Sequence, residues 1–396
     1  MTIRADCACK SLIKCREELC GDKVELLCTE DSYIMILADG MGSGVKANIL
    51  ATLTAKILGT MFLKGASLDE CVETIVKTLP VCQVRHVAYS TFSILQVSRD
   101  GQAYLVEFDN PACLMLRGGQ VCPIPFRLRE IAGKQIKEAH FPVRTGDIYL
   151  LVSDGVIHAG VGRKFPFGWT WEAMAAFAAT QTSGCRRAAQ LAERICEEAD
   201  QLYDSRPGDD TTAAVMRIVP AQIVHLMTGP PSDPADDERI VEALMEGDAC
   251  RIVCGGTSAT IVARQLKRPL MPTLLFADPD IPPIAHLQGI DLVTEGVLTL
   301  NRAVALLRRY TAAGPQLKGG PDDHLARDLA NENGGALLAS TLIERCTDLH
   351  LFVGKAVNMA HQNPDLPFDL GARQLLVEQL KNLVQAMGKQ VSVTYF

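Results

Sequence analysis

The chain has 396 residues, of which 48% are hydrophobic and only 5% aromatic, and its formal net charge is −7. That supply of aliphatic side chains fills the cores of two or three globular domains, and a negative chain with no basic run is a poor fit for nucleic acid or an anionic membrane surface. No apolar run reaches the ~18 residues of a membrane helix, and a cysteine-rich start carrying Asp6 is unlike a signal peptide, so a cytoplasmic protein is expected.

In chain order, Cys7 and Cys9 fall on one face of an apparent first strand. With Cys15, Cys20 and Cys28 they form a group that lacks a paired C-x-x-C spacing. Reduced thiols are the expectation, with a soft-metal or iron–sulfur site as the alternative. Strands over 24–28 and 33–38 lead to a helix from Gly44, on which Val45, Ile49, Leu53, Ile57 and Met61 recur every four residues and Ala47, Leu50, Thr54 and Leu58 widen the apolar surface. A second helix begins at Ser67, where Glu70 completes a capping box. Alternating runs near 88–97, 102–108, 113–117 and 147–152 read as antiparallel strands, followed by helices near 169–180 and 184–203 and a strand over 211–219. Strands grouped apart from paired helices make this an α+β layered fold.

Residues 229–237, rich in Pro and Asp, read as a linker between a domain at 1–228 and a smaller one at 238–396. The second part runs helix 238–246, strand 251–254, a glycine turn and helix 259–266. Strands near 273–277, 290–294 and 349–353 then alternate with helices near 299–310, 336–345 and 370–387, with a loop over 312–323 and an edge strand at 391–395. This pattern predicts an α/β domain with a mainly parallel sheet.

Chemistry concentrates where apolar strands run into aspartate: Ile34 to Asp39-Gly40, Ile148 to Asp154-Gly155, and the Asp209-Asp210 pair ahead of Thr211 to Val215. Near-continuous apolar runs mark strands buried on both faces, and a following glycine permits a sharp turn or a close approach. Several carboxylates brought together stay ionised only beside a compensating cation, and hard divalent cations take oxygen ligands. Gly42-Ser43-Gly44 opens the first helix but lacks the Lys-Ser/Thr of a nucleotide loop.

Taken with Gly21-Asp22, these motifs resemble the metal-dependent serine/threonine phosphatase 2C superfamily, in its bacterial sporulation stage II E branch, over about residues 1–220. The resemblance implies an αββα sandwich holding two Mn²⁺ or Mg²⁺ ions. Asp39 would bridge the ions, the Gly40 carbonyl would hold one of them, Asp154 and Asp209 would complete the set, and Asp22 would support it directly or through water. Asp39, Asp154 and Asp209 are thus the expected catalytic residues, Asp210 an orienting residue, and residues 45–79 a regulatory switch. The implied reaction is attack of a metal-activated water on phosphoserine or phosphothreonine in a phosphorylated regulatory protein, of which an anti-sigma-factor antagonist is the expected kind. The phosphate-binding arginine of eukaryotic members has no secure match; Arg16 is the nearest candidate. Of His86, His140 and His158, the last stands closest in sequence to an expected ligand. The competing reading is a non-catalytic signalling scaffold that keeps the fold.

In the second domain, Gly255, Gly256, Thr257 and Ser258 join a strand to a helix and suggest an anion-binding nest, against a plain βα turn capped by Thr257 or Ser258. The Thr294-Glu295-Gly296 and Asn358–Pro364 loops also follow strands, where ligands of open parallel sheets bind. A small anionic ligand that adjusts the phosphatase is the expectation there, with docking of a partner protein as the alternative.

Overall fold

The computed structural model describes residues 3–29, 31–78, 90–273, 282–312, 323–356 and 369–396, and the chain forms two compact units that part between Pro220 and Ala221. His86, most of the 273–277 strand, most of the 312–323 loop and the Asn358–Pro364 loop lie outside the described residues. Among the described residues no helix is long and apolar enough to cross a membrane.

The first unit runs β1 (Arg4–Leu12), β2 (Asp22–Cys28), β3 (Ser32–Gly40), α1 (Gly44–Leu63), α2 (Leu68–Thr78), β4 (Ser90–Ser98), β5 (Gln102–Phe108), β6 (Leu114–Arg117), β7 (Gln120–Cys122), β8 (Arg127–Ile131), β9 (Lys134–Pro142), β10 (Ile148–Val152), α3 (Asp154–Ile157), α4 (Trp171–Gln181), α5 (Ala188–Leu202) and β11 (Thr211–Val219). The strands form two antiparallel sheets, ordered β1-β11-β10-β6-β7 and β2-β3-β4-β5-β9-β8. Met35, Leu37, Leu95 and Leu105 of one sheet pack against Tyr149, Leu151 and Met216 of the other. Outside them, Leu50, Ala51, Leu58 and Ile75 of α1 and α2 cover Ile34, Ile36 and Ile94, while Met174, Leu191 and Ile195 of α4 and α5 cover Leu150 and Val215. The result is the αββα sandwich, and it explains why β3 and β10 are apolar at successive positions: each is buried on both faces.

The four-residue stripe expected to seat α1 does not do so. Val45, Ile49 and Leu53 are 61%, 52% and 46% exposed, and the helix rests instead on Ala47, Leu50, Ala51, Thr54, Ala55 and Leu58. A spacing of four advances about 40° per step around a helix, so that stripe winds off the buried face, whereas small residues let α1 approach the sheet closely. Strands β7 to β9 escaped the sequence reading because β8 lies at a sheet edge, with charged residues among its apolar ones. The capping box is present, with Ser67 N donating to Glu70 Oε2 at 2.8 Å.

The second unit contains β12 (Ile223–Thr228), a 3-10 turn (Pro234–Asp236), α6 (Asp237–Met245), β13 (Cys250–Cys254), α7 (Gly256–Leu266), β14 (Met271–Pro272), β15 (Ala285–Leu287), β16 (Ile290–Thr294), α8 (Val297–Ala312), α9 (Asp323–Leu329), α10 (Gly334–Glu344), β17 (Asp348–Val353), α11 (Asp369–Ala386) and β18 (Gln390–Tyr395). Its sheet is ordered β14-β15-β16-β13-β12-β17-β18, parallel from β16 to β18 and antiparallel at the β14–β15 edge. The domain boundary expected at 229–237 therefore moves. β12 pairs with both β13 and β17, so it belongs at the centre of the second sheet, and the Pro- and Asp-rich stretch connects β12 to α6 within that unit.

Leu58 is fully buried beneath α1 and Ile49 is half exposed on its opposite face. Leu58→Ala is expected to destabilise the protein by about 2–5 kcal/mol, and Ile49→Ala by less than about 0.5 kcal/mol. Denaturant melts of the two variants check this, and equal losses would contradict the seating of α1.

Candidate metal centre

Asp22 and Asp39 are direct partners across β2 and β3, and on the next strand Thr91 faces Asp39 and Ser90 faces Gly40. The other sheet contributes from its own strand ends. Ser153 N donates to Thr212 O at 3.0 Å, and the chain turns there from β10 into α3, whose first residue is Asp154. Asp209 and Asp210 immediately precede β11. Asp22, Asp39, Gly40, Asp154, Asp209 and Asp210 all line one cavity of about 210 Å³. Five carboxylates from two sheets thus meet, as the motifs suggested.

The two glycines after aspartate serve close approach rather than an unusual turn, since neither has a positive φ. A Cβ on Gly40 would lie 2.1 Å from Ala47 O, and one on Gly155 would lie 2.1 Å from Asp210 O. Only glycine lets α1 and α3 sit this near the carboxylates. Gly42 and Gly44 do take positive φ, 112° and 64°, and Ser43 between them donates to Glu17 Oε1 at 2.7 Å instead of capping α1.

The carboxylates divide by role. Asp210 accepts from Gly21 N at 2.8 Å and from Lys14 N at 3.0 Å, so its oxygens are engaged in fastening the β1–β2 loop. That is the orienting role expected of it. Asp22 is 4% exposed, and neither of its oxygens has a hydrogen-bond partner of normal geometry. Burial pushes its carboxyl up to about 7, the nearby Thr212 and Ser153 hydroxyls hold it down in part, and Asp210 and Asp154 add to the rise. Asp39 is pushed up to about 9, by burial first and then by the charges of Asp22, Asp154, Asp209 and Asp210. Asp154 is also raised, by burial and by Asp209. Asp209 is the most open, its side chain 45% exposed and bridged to Lys14 Nζ at 3.2 Å.

Lys14 is the cation that sequence reasoning passed over; Arg16 is exposed at φ 76° and lines no part of the cavity. Also passed over were Thr91, whose hydroxyl donates to Asn110 Oδ1 at 2.6 Å, and Asp109-Asn110 on the cavity wall. The signal for the latter was present: β5 is another apolar strand running into aspartate, followed by the turn pair Asn110-Pro111. His158 ends α3 with its side chain exposed, and His140 stacks on Tyr104 at 4.3 Å beside Glu138; neither lines the cavity.

The donor set suits divalent cations. A buried carboxylate with both oxygens unpartnered, opposite an Asp39 carboxyl that burial and neighbouring charge push up, is satisfied by hard cations. Among the described residues no three His, Cys, Asp or Glu side chains close around a single ion. The N-terminal cysteines assemble no such group either; Cys9 is buried between the sheets, with Cys7 packed beside it.

The sequence model of the Stage II sporulation protein E (SpoIIE) family matches residues 29–219. This segment is similar to the SpoIIE family. No curated protein matches the chain. Among solved structures, the phosphatase domain of SpoIIE from Bacillus subtilis with a fragment of its regulatory domain is 19% identical, covering 55% of this chain and 64% of that one at a TM-score of 0.47. The chain thus spans less than two thirds of that structure. The RsbU and RsbW domains of a Mycobacterium tuberculosis protein are 20% identical, covering 62% of this chain and 69% of theirs at a TM-score of 0.45. The residues matched by the family model, 29–219, all lie in the first unit.

A carboxyl with a higher pKa folded than unfolded adds stability that is full below about pH 4 and is lost as pH rises through the folded value. In EDTA the melting temperature should therefore fall from about pH 4 to pH 9, because the unfolded chain gives up protons that Asp22 retains to about pH 7 and Asp39 to about pH 9. Mn²⁺ should reverse the fall, and Asp39→Asn should both flatten it in EDTA and blunt the rescue by Mn²⁺. Melts insensitive to pH and Mn²⁺ would contradict the coupling.

Proposed function

We propose that the first unit hydrolyses phosphoserine or phosphothreonine in a bacterial regulatory protein, an anti-sigma-factor antagonist being the expected kind of partner, with the help of two Mn²⁺ or Mg²⁺ ions. The observation that carries this reading is the convergence of five carboxylates, one of them buried and unpartnered, on a single cavity between the sheets. The match of residues 29–219 to the SpoIIE family model supports a regulatory phosphatase.

Asp39, Asp154 and Asp209, with the Gly40 carbonyl and Asp22, would hold the ions. When bound, these supply Lewis acidity that activates water and neutralises phosphoryl oxygens. The remaining work falls to the chain. Asp210, through Gly21 N and Lys14 N, fixes the loop that carries Lys14 and Asp22. Lys14 Nζ places a positive charge beside Asp209, and it is the residue we assign to the non-bridging oxygens of the substrate phosphate, in place of the missing arginine. Thr91 and Asn110, locked to one another, stiffen the opposite wall. No histidine is found among the described residues that line the cavity.

The test is Mn²⁺-dependent hydrolysis of p-nitrophenyl phosphate. Asp39→Asn and Asp154→Asn are expected to lower kcat by about 10²-fold or more, a few kcal/mol of barrier. Lys14→Met should leave Mn²⁺ affinity intact or improved, because a competing cation leaves Asp209, while weakening competitive inhibition by inorganic phosphate about tenfold, the size of one charged hydrogen bond. Equal activity in the wild type and both aspartate variants would refute the metal reading. Unchanged phosphate inhibition in Lys14→Met would remove Lys14 from it.

A further inference from the structure

The second unit repeats one unusual construction on two neighbouring parallel strands. β13 ends in Cys254, Gly255 takes φ 128°, and α7 begins at Gly256. The first helical bond is Ala259 N to Gly255 O at 2.8 Å, so the N–H groups of Gly256, Thr257 and Ser258 precede it. β16 ends in Thr294, and α8 makes its first bond from Leu300 N to Gly296 O at 3.1 Å, leaving the N–H groups of Val297, Leu298 and Thr299 ahead of it. Both helices therefore start from a glycine, which has no side chain to cap them; neither Thr257 nor Ser258 is the cap. In both, the third residue carries a hydroxyl. Ser258 is 1% exposed and Thr299 is fully buried, and neither hydroxyl has a partner.

The two helix starts are neighbours. Gly255 N donates to Thr294 O at 2.9 Å, and a Cβ on Gly296 would meet Gly255 Cα at 3.5 Å. Ser258 Oγ lies 3.3 Å from where a Gly255 Cβ would stand, directly under the turn. The positive ends of two helices, of eleven and sixteen residues, thus meet with uncapped N–H groups and orphaned hydroxyls, which is the chemistry that holds a phosphate. Glu295, between β16 and Gly296, adds the opposite requirement. Its Oε2 is buried with no partner, and its charge is felt at the Cys254 thiol, so it belongs to the same corner. A bare anion gains nothing from that carboxylate. A ligand that brings hydroxyl donors beside its phosphate satisfies both.

We propose that this corner of the second unit binds a phosphorylated ribose, free or within a nucleotide. Its phosphate sits on the Gly255 and Gly296 helix starts with Ser258 and Thr299, and a sugar hydroxyl donates to Glu295. The corner lies outside the carboxyl ends of the neighbouring parallel strands β13 and β16.

The experiment uses the full chain in EDTA, with calorimetry and thermal melts against AMP, ribose 5-phosphate, 2′,3′-dideoxy-AMP and inorganic phosphate. AMP or ribose 5-phosphate should bind and raise the melting temperature; binding of the first alone identifies a nucleotide, and binding of the second a free sugar phosphate. The dideoxy compound should bind at least tenfold more weakly than AMP, and Glu295→Gln should erase that difference. Gly256→Asp puts a carboxylate where a Cβ meets nothing within 4 Å, so the fold tolerates it while phosphate binding is lost. Asp39→Asn should leave binding unchanged, since that residue belongs to the other unit. The proposal is overturned if none of the four binds, if Gly256→Asp binds normally, if binding disappears in Asp39→Asn, or if inorganic phosphate binds as tightly as AMP regardless of Glu295→Gln.

Discussion

Mutual repulsion among buried carboxylates is the constraint around which the first unit is built. Asp22 and Asp39 stand opposite one another on paired strands, and the second sheet brings Asp154, Asp209 and Asp210 to the same cavity. Such an arrangement is unstable on its own terms, since burial and like charge each favour the protonated forms. It persists because three layers of aliphatic packing, between the sheets and under each helix pair, hold the strand ends in place whatever the charges prefer. A site strained in this way gains most from cations, which couples metal binding to stability.

The same packing explains which atoms are left available. Gly40 and Gly155 give up side chains so that α1 and α3 come within contact distance of the strand ends. Asp210 gives up both oxygens to the Gly21 and Lys14 amides, which pins the β1–β2 loop. What remains free is the pair of Asp22 oxygens and the more exposed Asp209, balanced by Lys14. Adjacent aspartates at 209 and 210 thus differ in role because Asp210 meets the amides of the β1–β2 loop, whereas Asp209 meets its neighbour's amide and the Lys14 ammonium.

The second unit solves a different problem with the same economy of side chains. Its parallel sheet directs helix starts toward one edge, and at Gly255 and Gly296 nothing of the chain itself caps them. In the first unit negative charge is concentrated at strand ends; in the second, backbone dipoles concentrate positive potential there. The ligands proposed for the two units are therefore of opposite sign, and Glu295 is the reason that a ligand with hydroxyls is proposed for the second.

Much of this was legible before any coordinates. Continuous apolar runs ending at Asp39 and Asp154, the Asp209-Asp210 pair and Gly21-Asp22 named the cavity's carboxylates, because a strand buried on both faces and a polar end leave a strong local signature. Helices and most strands followed from periodicity for the same reason. Pairing partners do not leave such a signature. That β12 lies at the centre of the second sheet, that α1 seats its small-residue face and exposes Val45, Ile49 and Leu53, and that Lys14 reaches Asp209 across 195 positions of sequence are all facts of three-dimensional contact. Local sequence determined which residues carry charge and where strands stop. Only tertiary structure decided which of those charges meet, because that depends on the close packing of segments far apart in the chain.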